Sequence, residues 1–117
     1  MDVRTKRVYE DAAPDDGYRV LVDHIWPRGV SKRKAAIDEW AKDLAPGGDL
    51  RKWFDHDPDR FEEFARRFRA ELEGRRERLG ELRRRAREGR LTLVFAARDS
   101  EHSNAAVLAG VIRHGLR

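Results

Sequence analysis

The sequence predicts one α/β domain, a small and mostly parallel sheet with helices packed on it. Three observations carry that prediction. "RLTLVFAA", residues 90–97, is nearly continuous in apolar character and does not alternate, as expected of a strand buried on both faces of a parallel sheet. Strand-like segments alternate with segments of helical spacing, the order that builds such sheets. A chain of 117 residues is long enough for one core and too short for two.

The elements follow in order. "TKRVY", 5–9, reads as a short strand, and "EDAAPDDG" as a turn-rich loop. "YRVLVDHIW", 18–26, reads as a second strand that Pro27 and Gly29 stop. Ser31 is placed to cap a helix. Ile37, Trp40, Ala41 and Leu44 then predict an amphipathic helix over 32–44, closed by "APGGD". Leu50, Trp53 and Phe54 suggest a short helical turn. Asp57-Pro58 supplies a capping carboxylate followed by proline at the first helical position. Phe61, Phe64, Phe68 and Leu72 continue as a core-facing stripe. Gly74 interrupts it, and a further helix over about 75–88 carries Leu79, Leu82 and Ala86 on one side. After the strand at 90–97 and the loop "RDSEHSN", a last helix carries Ala105, Leu108, Val111 and Ile112.

Composition narrows the function classes. There is no cysteine, which excludes disulfides, thiolate metal sites and a cysteine nucleophile, and fits a cytoplasmic setting. The N-terminal stretch has no apolar signal region, and no apolar run approaches the roughly 20 residues of a membrane span. Charged residues make up 41% of the chain at a net charge of +4. They are unevenly placed: residues 66 to 90 hold eleven arginines against five acids, whereas 38 to 63 hold nine acids against four bases. A basic segment of this kind can meet phosphate or nucleic acid, and it is equally the composition of a solvated helix face. Phosphate-binding and serine-hydrolase signatures (G-x-x-x-x-G-K-[ST], G-x-G-x-x-G, G-x-S-x-G) are absent.

Chemistry concentrates in two segments that each run strand, polar loop, helix. One is "LVDHIWPRGVSK", 21–32, and the other is "AARDSEHSN", 96–104. Ligands of open α/β sheets bind outside the carboxyl ends of the strands. Helix starts there offer free N–H groups to an anion. The candidate acid–base residues are Asp23, Asp99 and His102, because imidazole and carboxylate can exchange protons near neutral pH. The candidate ligand-binding residues are Arg28, Lys32, Arg98, Ser103 and Asn104. A buried Asp23 needs a partner, which Arg28 or Arg98 could supply as a purely structural ion pair. His102 is also placed to cap the last helix. His24, alternating with Val22 and Trp26, reads as a core histidine; His56 is ambiguous; Trp26, Trp40 and Trp53 read as core. Asp23, His56, Asp99 and His102 have no recognised metal-ligand spacing, so neither metal nor cofactor is expected.

"YRVLVDHIWPRGVSK", "WAKDLAP", "LRKWFDHD" and "TLVFAARDSEHSNAAVL", four ordered motifs covering about residues 5–112, resemble the YeaO-like proteins, a bacterial family of unknown function. The family pattern usually has arginine where this chain has His24, and "EHNHAVVL" where it has "EHSNAAVL". The first departure argues against an essential role for position 24, and the second against a mechanism needing two histidines in that loop. The resemblance extends to proteins with a cysteine after the corresponding apolar strand, similar to the anion-cradling loops of rhodaneses and phosphatases. It therefore implies a binding cradle without the thiol. The expected partner is a small phosphate- or carboxylate-bearing ligand, with acid–base chemistry open. The alternatives are a nucleic-acid-binding or protein-interaction module using residues 66–90. No membrane partner is expected.

Overall fold

The structure, a computed structural model, describes residues 1–116. The elements run β1 (Asp2–Arg7), β2 (Tyr18–Leu21), α1 (Lys32–Ala35), β3 (Glu39–Trp40), α2 (Gly48–Phe54), α3 (Phe61–Leu72), α4 (Arg76–Glu88), β4 (Arg90–Phe95) and α5 (Asn104–His114). The strands form one sheet in the order β1-β4-β2-β3, and every pairing is parallel. The α/β architecture expected from the sequence is present.

The apolar run of β4 explains its central place. Leu91, Leu93 and Phe95 point to one face, with Val3 of β1 and Val20 of β2, and meet the apolar stripes of α3, α4 and α5. Val94 points to the other face and joins Val8, Leu21 and Ala35 in a smaller cluster edged by Trp26 and Trp40. Both faces of β4 are therefore dry, as its lack of alternation requires.

The smaller face is completed by polar groups. Arg19 is 3% exposed and Asp16 8% exposed. The Arg19 guanidinium donates to Asp16 at 2.7 Å and to the carbonyls of Ala35 and Ala36, the last turn of α1. Lys6 reaches Asp16 at 3.1 Å, and the Thr92 hydroxyl donates to the Asp16 carbonyl at 2.6 Å. Burial pushes the Asp16 carboxyl up, but the Ala13 N–H and the Lys6 and Arg19 cations outweigh it and leave its pKa lowered.

Several expectations are corrected here. The second strand stops at Leu21, not Trp26: Val22 N–H makes one more bond to Val94, and the chain then turns away. His24 is consequently exposed rather than in the core, and all three tryptophans are half-buried. The expected helix over 32–44 ends at Ala35. Ala36 takes the left-handed conformation (φ 49°), and Arg19 binds the freed carbonyls. Glu39 and Trp40 then return to the sheet as the short edge strand β3. The first strand spans Asp2–Arg7, and β4 ends at Phe95 because the next N–H is claimed by a side chain of the site. Gly74 interrupts the helical stripe as expected, lying in a 3-10 turn, Glu73–Arg75, between α3 and α4.

Two outcomes follow for stability. Arg19→Met leaves Asp16 buried with Lys6 as its remaining cation. It should cost about 3–5 kcal/mol in urea unfolding, as for a broken buried pair. Gly17→Ala should cost more than about 1 kcal/mol. Gly17 has φ +68°, and a Cβ there would lie 2.2 Å from the Arg90 carbonyl oxygen.

Candidate functional site

β2 and β4 are neighbours whose chains diverge at their carboxyl ends. β2 leads to β3 on one side, while α5, after β4, packs back over β1 on the other. The gap between them is the switch point at which open sheets bind ligands. Asp23 sits at its base. Its Oδ2 accepts the Ala96 N–H at 2.9 Å, and its Oδ1 accepts the Asn104 side-chain N–H at 3.2 Å. The same Asn104 nitrogen donates to the Val22 carbonyl at 3.0 Å. Asp23 thus ties the end of β2 to the end of β4 and the start of α5. Burial pushes its pKa up, a shift that the Ala96 N–H, Asn104 and the His56 and Arg51 charges only partly offset.

Three walls rise from this base. The first is the turn after β2. Gly29 (φ 77°) permits the turn, the Trp26 ring N–H donates to the Val30 carbonyl at 2.7 Å, and the Tyr9 hydroxyl donates to the Arg28 carbonyl at 3.2 Å. The second is the loop after β4, held by Arg7, which donates to the carbonyls of Ala96 and Ala97 at 3.2 and 2.9 Å. In this loop Asp99 accepts the His102 backbone N–H at 3.1 Å and meets its ring Nδ1 at 2.7 Å. The bond to His102 holds the Asp99 pKa down. The His102 ring also stands edge-on to Phe61, 5.1 Å away. The third wall is the end of α2, where Asp55 and His56 both adopt left-handed backbone (φ 47° and 53°). Two such residues in succession occur where surrounding structure imposes them.

The walls enclose a cleft of about 720 Å³. Of the expected residues, Asp23, Arg28, Arg98, Asp99, His102, Ser103 and Asn104 line it. Lys32 does not; it lies on α1 beside a groove of about 170 Å³ with Trp26 and Trp40. Ser103 is 2% exposed, and its hydroxyl accepts the Ala106 N–H and donates to the Ser100 carbonyl, so it holds the helix start. Asp23 takes neither Arg28 nor Arg98 as its partner; a backbone N–H and an amide serve instead. Arg51 and His56 line the cleft and were not singled out as ligand-binding by sequence reasoning. Their segment, "LRKWFDHD", is one of the four motifs of the family resemblance, the one signal that could have found them. Ile25, Trp26, Pro27, Pro46, Phe54 and Phe64 give the cleft apolar sides. The side chains of Arg28, Arg51 and Arg98 make no hydrogen bond or ion pair among the described residues.

A family model described as "Inactive DUF488-N3 subclade" matches residues 2–117. The uncharacterized protein YeaO of Escherichia coli (strain K12) is 39% identical over 116 residues, covering 97% of this chain and 98% of that one. The chain belongs to the YeaO-like family. Uncharacterized proteins of Mycobacterium tuberculosis (strain ATCC 25618 / H37Rv) and Mycobacterium bovis share 48% identity with it over 110 residues, 94% of this chain and 92% of each of theirs. No solved structure matches the chain. The YeaO-like motifs quoted above fall on the walls of the cleft: the turn after β2, the end of α2, and the loop after β4.

The half-buried carboxylate of Asp23 gives a pH signature. The folded state holds the Asp23 proton more tightly than the unfolded chain does. Its contribution is therefore full below the ordinary carboxylate pKa and is lost as pH rises through the raised folded value. Urea midpoints of wild type and Asp23→Asn between about pH 3.5 and 7 should show this. The wild type should lose stability relative to the variant as pH rises; a constant difference between the two would refute the raised pKa.

Proposed function

We propose that this protein binds a small molecule bearing a phosphate or carboxylate group in the strand-end cleft. The supporting observation is that Arg28, Arg51 and Arg98 all line one concavity while lacking partners among the described residues. Several other arginines are paired, Arg66 and Arg67 with Glu63, Arg76 with Glu73, and Arg78 with Glu39, Asp43 and Glu81. Arg33, Arg69, Arg83, Arg84 and Arg87 have no such partner among the described residues but lie outside the cleft, so what sets the three apart is their convergence on one concavity. A guanidinium binds an oxyanion through parallel, charge-assisted hydrogen bonds, and the apolar sides take the body of the ligand. His102, oriented by Asp99, stands beside the arginines as a proton acceptor. The word "inactive" in the family description fits binding without thiol chemistry, as does the absence of cysteine, which also suits a cytoplasmic protein.

The nucleic-acid reading is less well supported. Part of the charge of segment 66–90 is taken up by ion pairs, Arg66 and Arg67 with Glu63, Arg76 with Glu73 and Arg78 with Glu39, Asp43 and Glu81, and Glu63 is pulled down to about 2 by its hydrogen bonds to Arg66 and Arg67. Among the described residues, no helix is long and apolar enough to cross a membrane.

Thermal-shift titration tests the proposal with inorganic phosphate and small carboxylates. Wild type should be stabilised in proportion to anion occupancy. Arg28→Ala, Arg51→Ala and Arg98→Ala should each weaken binding by about 1.5–3 kcal/mol, while Arg84→Ala on the exposed side of α4 should not. No anion response, or an equal loss in Arg84→Ala, would overturn the reading.

A further inference from the structure

We infer that His102 is a phosphoryl-acceptor site, modified at Nε2 by phosphate monoesters or phosphoramidates that enter the cleft. The inference rests on the anion-binding reading and goes beyond it, from holding a phosphoryl group to forming a bond with it.

Orientation comes first. One carboxylate, Asp99, holds His102 twice, by its backbone N–H at 3.1 Å and its ring Nδ1 at 2.7 Å. The Phe61 ring, edge-on at 5.1 Å, restricts the same imidazole from another side. With Nδ1 committed as donor to Asp99, the neutral ring carries its lone pair on Nε2, which has no partner among the described residues. A nucleophile oriented by a third group in this way is the general arrangement for covalent catalysis.

The surroundings suit phosphorus. Arg28, Arg51 and Arg98 line the same cleft and can neutralise the phosphoryl oxygens, as arginine clamps do in phosphoryl transfer. Asp23 lines it too, with both carboxylate oxygens held by the Ala96 N–H and the Asn104 amide, so it helps shape the base of the cleft. In the step with a monoester, the Nε2 lone pair attacks phosphorus and the Nε2–P bond forms. The P–O bond to the alcohol breaks, and the departing oxygen takes its proton from water in the open cleft. With phosphoramidate, the P–N bond breaks and ammonia leaves with the protons it already carries. In both cases the ring keeps its Nδ1 proton, and Asp99 balances the positive charge.

The other histidines are built differently. His24 and His56 line the cleft but have no carboxylate partner, and His114 lies at the far end of α5. They provide internal comparison within one molecule.

The test is incubation of the full chain with phosphoramidate, followed by phosphorus-31 NMR and site mapping under alkaline conditions that preserve phosphohistidine. Label should appear at Nε2 of His102 on the order of a hundredfold faster than at His24 or His114, the scale of a positioned catalytic group. Asp99→Asn should slow labelling by a similar factor while phosphate still raises the melting temperature. Inorganic phosphate as competitor should protect His102. Equal labelling of all four histidines, labelling chiefly at His56, or none at His102 would overturn the inference, and the mapping is read on the wild-type chain, so it does not depend on any variant folding. Stabilisation by inorganic phosphate with no label at His102 would leave the anion-binding reading standing and remove this one.

Discussion

β4 is the last strand in the chain and lies between the first two, so β1 and β2 are not bonded to each other. Each pairs along its length with β4, Asp2 to Arg7 on one side and Tyr18 to Leu21 on the other. The sheet therefore cannot close until residues 90–95 arrive, after all the intervening helices have been made. This explains why β4 has to be apolar throughout. It must fill a slot whose two faces are already committed, one to α3–α5 and one to the Val8, Leu21 and Ala35 cluster. It also fixes the position of the cleft, because the loops leaving β2 and β4 start side by side only when β4 occupies that slot.

The two faces of the sheet are unequal, and the smaller one is finished with charge. α1 is a single turn and cannot cover that face alone. Arg19 extends it by binding the carbonyls at its end and pairing with Asp16, while Lys6 and Thr92 complete the shell. None of the buried side-chain nitrogens and oxygens described lacks a partner. On the far edge Arg78 plays the corresponding part, joining α4 to β3 through Glu39 and to Asp43. Both devices rest on arginine, whose planar fork can serve several acceptors at once.

What was legible in the sequence was whatever repeats along one element. The uniform apolar run of β4 and the Phe61–Phe64–Phe68–Leu72 stripe both report burial directly, and both elements lie where the pattern put them. The failures lie where contacts across the chain override local pattern. Ile37, Trp40, Ala41 and Leu44 have helical spacing, yet Arg19 ends the helix before them and Asp38 accepts the Arg19 backbone N–H to start β3. His24 alternates properly for a buried strand, but the strand has already ended. At the site, the two strand-end loops were legible from their polar residues beside apolar runs. Arg51 and His56 were not, because nothing local marks α2 as the third wall. The partner of Asp23 was misjudged for the same reason: sequence invites a search for a cation, whereas the fold offers a backbone N–H and an amide.

The cleft differs from the rest of the molecule in how its charges are arranged. Elsewhere many arginines are set against carboxylates or carbonyls, and unpaired ones such as Arg84 and Arg87 are exposed on α4. In the cleft Arg28, Arg51 and Arg98 face a common space, and the carboxylates there are already committed, Asp99 to His102 and Asp23 to Ala96 and Asn104. Like charges around a concavity repel, and low-dielectric walls such as Trp26, Phe54 and Phe64 focus their field rather than dissipating it. The bonds that hold the walls run instead through other residues: Tyr9, Arg7, Trp26 and Asn104 fix backbone positions without using the three guanidiniums. Support and charge are therefore carried by separate residues.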